Sequence, residues 1–216
     1  MFLESIRHCR RIVSSGVLMA SLAAPAMAQP HSVQGVKADD VLNIREDIHH
    51  TRDVSGSPVV GTIPPDADDV MVTGVSVDIG GATWREVAYN GTVGWVNARY
   101  LKPTSTMLQA PEALKCSGTE PFWSITIDEA GSTYNSPEQE TPLTLDYLRF
   151  VPGLGRTDLW GHYLVSPDGI TPLTVIVRHT EACTDGMSDL NFDYEAILLG
   201  LSPDGAPAYG CCSMTP

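Results

Sequence analysis

The stretch Trp84-Arg85-Glu86-Val87-Ala88-Tyr89-Asn90-Gly91-Thr92-Val93-Gly94-Trp95-Val96 decides the fold class. Two runs rich in aromatic and β-branched residues flank an Asn-Gly pair. A two-residue hairpin needs positive φ at both central positions, and Asn and Gly tolerate this best. The stretch therefore predicts two antiparallel strands joined by a tight turn. Working outward toward the N-terminus, the segment from Asp69 to Asp78 is rich in Val and Met. Before it, Pro58-Val59-Val60-Gly61-Thr62-Ile63-Pro64-Pro65 is a short run ended by prolines. Asp40-Val41-Leu42-Asn43-Ile44-Arg45 alternates apolar and polar residues. All three read as strands.

The C-terminal half has the same period. Trp123, Ile125 and Ile127 share one face, opposite Ser124, Thr126 and Asp128. Leu143, Leu145 and Tyr147 alternate with Thr144 and Asp146. Leu173, Val175 and Val177 form a further row, and Phe192, Tyr194, Ala196 and Leu198 another. Period two with one apolar face describes half-buried antiparallel strands. Ala130-Gly131 reads as a turn, and Val151 to Trp160, with two glycines and a proline, as a long loop. At least five such runs predict a closed barrel or a sandwich. No stretch carries a long helical period. The expected fold is all-β throughout: an N-terminal partly open barrel and a C-terminal disulfide-bonded antiparallel barrel or sandwich.

Composition supports this class and limits the partners. The chain has 216 residues, 43% hydrophobic and 18% charged, which suits a packed core and excludes intrinsic disorder. Its 19 glycines and 16 prolines suit a turn-rich β protein. Lys and Arg number 13 against 26 Asp and Glu, a net charge of -13. Nucleic acid is thereby excluded as a partner, because phosphate binding needs a basic face. An anionic membrane surface is disfavoured for the same reason.

Residues 1–28 read as a secretory signal. Arg7, Arg10 and Arg11 precede a mostly apolar or small run from Ile12 to Ala24, and Ala26-Met27-Ala28 is an A-x-A cleavage site. Cleavage would remove Glu4 and three arginines, leaving 10 basic and 25 acidic residues. No later apolar run approaches the ~18 residues of a membrane helix, so no integral span is expected after cleavage. The expected location is periplasmic or secreted. Four cysteines then remain: Cys116, Cys183, Cys211 and Cys212. An even number in an exported chain predicts two disulfides. Four cysteines allow three pairings, and adjacent Cys211 and Cys212 favour a distant partner for each. A metal site is the rival reading, but C-x-x-C and ligand-spaced histidines are missing. No metal and no cofactor is implied.

Two resemblances divide the chain. Residues 33–103 resemble a bacterial SH3 (SH3b) domain. The features that carry it are Leu42-Asn43-Ile44-Arg45, Val60-Gly61-Thr62-Ile63-Pro64, Trp84-Arg85-Glu86-Val87, Gly94-Trp95-Val96 and Tyr100-Leu101. The resemblance implies a small SH3-like, partly open β-barrel that targets cell-wall peptidoglycan or a peptide. Two segments depart from the family: Glu46 to Arg52, and the acidic loop Pro65-Asp66-Ala67-Asp68-Asp69. Residues 104–113 read as a linker. Residues 114–216 resemble a family of exported bacterial domains marked by Gly118-Thr119-Glu120-Pro121-Phe122-Trp123, Cys183-x-Asp185-Gly186-Met187-Ser188-Asp189 and Gly210-Cys211-Cys212. That resemblance implies an extracytoplasmic, disulfide-bearing β domain and supplies no reaction.

Candidate ligand-binding residues are Arg45, Tyr89 and Tyr100 in the loops of the first domain. Trp84 and Trp95 read as core or rim packing, and His49-His50 as solvated loop. Glu120, Asp185 and Asp189 could form a calcium or acid–base cluster. Their spacing lacks the oxygen-rich pattern of a calcium loop, and capping the turn after Cys183 fits better. No catalytic residue is assigned. The function expected is that of a non-enzymatic envelope protein: a module that binds cell wall or an envelope protein or peptide, followed by a binding or scaffold barrel. One alternative is a cell-wall cysteine peptidase, on the likeness of Lys115-Cys116-Ser117-Gly118 to an Asp-Cys-Ser-Gly nucleophile motif, with His162 or His179 as base. The other is a secreted enzyme inhibitor, on fold analogy alone.

Overall fold

The computed structural model describes residues 30–48, 54–105, 110–111, 113–201 and 205–216. The expected secretory signal at residues 1–28, His49-His50, and residues 106–109 and 112 of the expected linker lie outside the described residues.

The Asn90-Gly91 turn forms as read. Asn90 has φ 48° and Gly91 φ 77°. It joins β5 (Ala82–Tyr89) to β6 (Thr92–Asn97), with Tyr89 opposite Thr92 and Trp84 opposite Asn97. The N-terminal strands are completed by β1 (Pro30–Val33), β2 (Leu42–Arg45), β3 (Val59–Ile63), β4 (Val70–Ile79) and β7 (Leu101–Pro103). Their order is β3-β2-β6-β5-β4-β1-β7, which leaves β3 and β7 as edges. Alternation along β2 buries Leu42 and Ile44 and turns Asn43 and Arg45 outward. Leu42 and Ile44 join Ile63, Val70, Val87 and Val96 in the core of this half. β1 and β7 were not legible in the sequence, because His31, Ser32, Lys102 and Pro103 carry little strand signal. They pair only with β4 and with each other.

The C-terminal half is a closed barrel, which decides the barrel-or-sandwich alternative. Its strands are β8 (Leu114–Thr119), β9 (Phe122–Asp128), β10 (Gly131–Asn135), β11 (Leu143–Pro152), β12 (Leu159–Val165), β13 (Pro172–Cys183), β14 (Asn191–Leu199) and β15 (Ala208–Met214). Each pairs antiparallel with the next, and β15 returns to β8. Closure by sequential neighbours removes the free edges that an open sheet exposes. The inward rows fill the interior: Trp123, Ile125, Trp160, Leu173, Val175 and Tyr194 belong to one buried cluster. Each fully buried large aliphatic side chain contributes about 1.5–3 kcal/mol. The stretch read as a long loop from Val151 to Trp160 is loop and turn over residues 153–158, and strand only at its two ends. Val151 pairs with Gly161 and Pro152 with Trp160. Burial of Trp160 against the barrel core outweighs the weak strand propensity of its Gly and Pro neighbours.

Two disulfides brace the barrel: Cys116–Cys212 and Cys183–Cys211. Successive residues of a strand face opposite sides. Cys212 therefore points inward and meets Cys116 directly across the β8–β15 seam, and both are buried. Cys211 points the other way and fastens the end of β13 over β14 to β15.

The two halves share one sheet. β14 pairs with β15 only from Tyr194 onward. Its first two residues pair with β4 instead, Asn191 with Ser76 and Phe192 with Val75. Arg85 on β5 bridges the halves through a 2.9 Å ion pair with Asp193.

Candidate functional site

Two of the three residues singled out as ligand contacts come together in one groove of about 390 Å³ on the N-terminal half. Arg45 and Asn43 reach it from the outward face of β2. Trp84 and Asn97 stand opposite each other on β5 and β6, and Tyr100 follows in the short turn Ala98–Tyr100. That turn is set by Asn97, whose side chain accepts from the Arg99 N–H at 3.1 Å. A capping Asn satisfies a backbone donor that the turn leaves open. Lys37 and Asp40 complete the rim.

The groove is held by polar contacts beside it. Arg45 donates from Nη1 to the Ser57 carbonyl at 2.7 Å. The Arg99 guanidinium lies over the Tyr100 ring, 4.5 Å from its centroid, and donates to the Tyr100 hydroxyl at 2.7 Å. Gln34 donates to the Arg99 carbonyl at 3.0 Å. The result is two aromatic faces separated by amides and a guanidinium. Such a set suits an extended ligand with apolar faces and polar edges. Tyr89 is not part of it: it packs against the N-terminal core at the far end of β5. Trp95 is buried, and Trp84, read as packing, lines the groove.

No known protein family, curated protein or solved structure matches the chain.

The remaining candidates lie elsewhere. The Cys116 sulfur is bonded to Cys212, so the cysteine-peptidase alternative has no free thiol there. Its two proposed bases are also apart from each other in role and place. His162 is fully buried inside the barrel. Its Nδ1 is 3.3 Å from the Tyr147 hydroxyl, and its Nε2 has no hydrogen-bond partner among the described residues. Burial pushes its pKa down to about 4. His179 packs its ring edge-on against Tyr194, with centroids 5.4 Å apart, at the junction of the two halves.

Asp185 caps the turn after Cys183. One carboxylate oxygen accepts from Met187 N at 3.0 Å and Ser188 N at 2.8 Å, and the Ser188 hydroxyl bonds both oxygens. Partial burial opposes ionisation, but these hydrogen bonds outweigh it and hold the carboxyl below its ordinary pKa. Thr119 donates to the Asp185 carbonyl at 3.1 Å, which ties the two sequence blocks together. Among the described residues, no group of three or more His, Cys, Asp or Glu side chains is placed to hold a metal ion.

Trp123, in the block from Gly118, lies flat against two strands. A Cβ on Gly118 would stand 2.2 Å from its Nε1, and one on Gly210 would stand 2.7 Å from its Cζ2. Those two glycines are therefore the seat of the indole. The sequence signal was the pair of motif glycines, which had no evident purpose until the strands closed.

Proposed function

We propose that this protein is an exported, non-catalytic envelope protein that holds cell-wall peptidoglycan in the groove around Arg45, Trp84 and Tyr100. The barrel is its rigid, disulfide-braced companion. The observation that carries the reading is the convergence of Arg45 and Tyr100 with Trp84, Asn43 and Asn97 in one groove. A glycan strand bearing short peptides offers apolar ring faces for Trp84 and Tyr100. Its amides and hydroxyls suit Asn43, Asn97 and Arg45. Two disulfides fit an oxidising compartment, where a cell-wall ligand is accessible. The SH3b resemblance of residues 33–103 supports the same ligand.

Co-sedimentation of the oxidised protein with purified sacculi tests the reading. The unaltered protein should pellet. Tyr100→Ala and Trp84→Ala should each shift it toward the supernatant, while Tyr89→Ala should have little effect on pelleting. Protein that stays in the supernatant with saturating sacculi overturns the reading. Equal pelleting of the groove variants removes the groove from it.

A further inference from the structure

Two strands at the junction of the halves each carry a bulge, and both bulges border one cavity. In β4, Val72 pairs with Val87 and the next pair is Ser76 with Arg85. Thr73, Gly74 and Val75 thus stand against the single residue Glu86. In β13, His179 pairs with Tyr194 and the next pair is Cys183 with Phe192. Thr180, Glu181 and Ala182 thus stand against Asp193 alone. Bulges break the ladder, re-aim side chains and are enriched beside active sites. Gly74 makes the first bulge possible. Its φ is +86°, and a Cβ there would be 3.2 Å from the Tyr194 ring.

The cavity between them measures about 660 Å³. It shares no residue with the groove around Tyr100. One side contributes His31 and Arg85, and the other His179, Thr180, Glu181 and Asp193. Tyr194 and Met214 add an apolar part of the lining. The volume lies within the range of small-molecule sites, which favour domain junctions. Asp193 uses one donor of Arg85, at 2.9 Å, and a guanidinium has five. Glu181 is exposed and has no ion pair or hydrogen bond among the described residues. The lining therefore offers both signs of charge, with carboxylates outnumbering the guanidinium. A simple anion meets an excess of like charge, and a simple cation meets Arg85. A ligand carrying both charges satisfies both.

We propose that this cavity binds a small zwitterion, an amino acid or a dipeptide, with its ammonium group on Glu181 and its carboxylate on Arg85. The bulge in β13 delivers Glu181 and Thr180. The ion pair with Asp193 keeps Arg85 in place for the ligand.

The test is a titration of the whole oxidised protein, followed by amide chemical shifts and calorimetry. The probes are alanine, alanyl-alanine and N-acetylalanine amide. Alanine or alanyl-alanine should bind saturably, with shifts concentrated at residues 72–76 and 179–183. The tighter of the two tells a free amino acid from a peptide end. N-acetylalanine amide, which lacks both charges, should not bind. Glu181→Gln, at an exposed position, should weaken the zwitterion about tenfold, the usual loss for one charge-assisted hydrogen bond. The proposal is overturned by the absence of binding of both zwitterions at millimolar concentration. Equal binding of the blocked amide, or unchanged affinity in Glu181→Gln, overturns it as well.

Discussion

His162 should make the barrel acid-sensitive in a way that one substitution removes. The imidazole is fully buried among barrel side chains. It faces Val175 across β13 and packs edge-on to Phe150, with centroids 5.4 Å apart. The titratable group in contact with it is Tyr147. Among the described residues no carboxylate bonds the ring, so none repays desolvation of a charged imidazolium. Burial accordingly lowers the pKa from 6.5 to about 4. Above about pH 6.5 the ring is neutral in both folded and unfolded chains, and no penalty exists. As the pH falls below that value the unfolded chain takes up a proton and the folded one does not, so stability is lost down to about pH 4. The loss reaches about 1.5 kcal/mol near pH 5.5 and about 2.5 kcal/mol near pH 4.5. That is a large fraction of the ~5–15 kcal/mol of a typical domain.

The assay is urea unfolding of the oxidised protein and of His162→Leu across this range, followed by fluorescence of the buried Trp123 and Trp160. Leu fills similar volume and removes an unpartnered nitrogen. The variant should match or exceed the parent near pH 7.5, and its advantage should widen by the amounts above as the pH falls. Acidic side chains such as Asp158, held at about 2 mainly by its hydrogen bond from Arg156, titrate in both proteins and cancel in the difference. Parallel loss of stability in the two proteins would refute the reasoning. It would mean that the ring is hydrated or that the barrel opens to admit its proton.

Three further outcomes are expected of this fold. Replacing Cys116 and Cys212 by Ala should cost about 4–5 kcal/mol, because their bridge closes a span of 96 residues, and denaturant midpoints under oxidising conditions will show it. Gly210→Ala should destabilise by about 1–3 kcal/mol or more, since its Cβ would meet the Ser117 carbonyl oxygen at 2.2 Å as well as the Trp123 ring. The expected readout is a lower midpoint with altered tryptophan fluorescence. A double-mutant cycle on Arg85 and Asp193 should return only about 0.2–1 kcal/mol, because their side chains are 31% and 18% exposed and water screens the pair. A much larger coupling would mean that the junction of the halves closes more tightly around them.

The sequence by itself determined the class of structure. Period two in residues 123–127 and 173–177, the Asn90-Gly91 turn and the even number of cysteines after residue 28 are local signals. The pleat of a strand and the steric demand of a tight turn fix their meaning without any knowledge of distant residues. Arg45 and Tyr100 could be named from the sequence as candidates in the loops of the first domain, but only the fold brings them to one groove. Trp84 was read as packing because an isolated aromatic does not reveal which of its faces stays open. The tertiary structure alone decided what depends on residues far apart in the chain. Closure of the barrel rests on Cys212 opposite Cys116 and Met214 opposite Leu114. The choice among three disulfide pairings rests on the opposite facing of adjacent Cys211 and Cys212, once β15 lies between its neighbours. The bulges that carry Gly74 and Glu181 appear only as mismatched register between strands, and register is a property of pairs. A single strand's sequence states which side of it is apolar, whereas its partner and the offset between them are set by packing of the whole sheet.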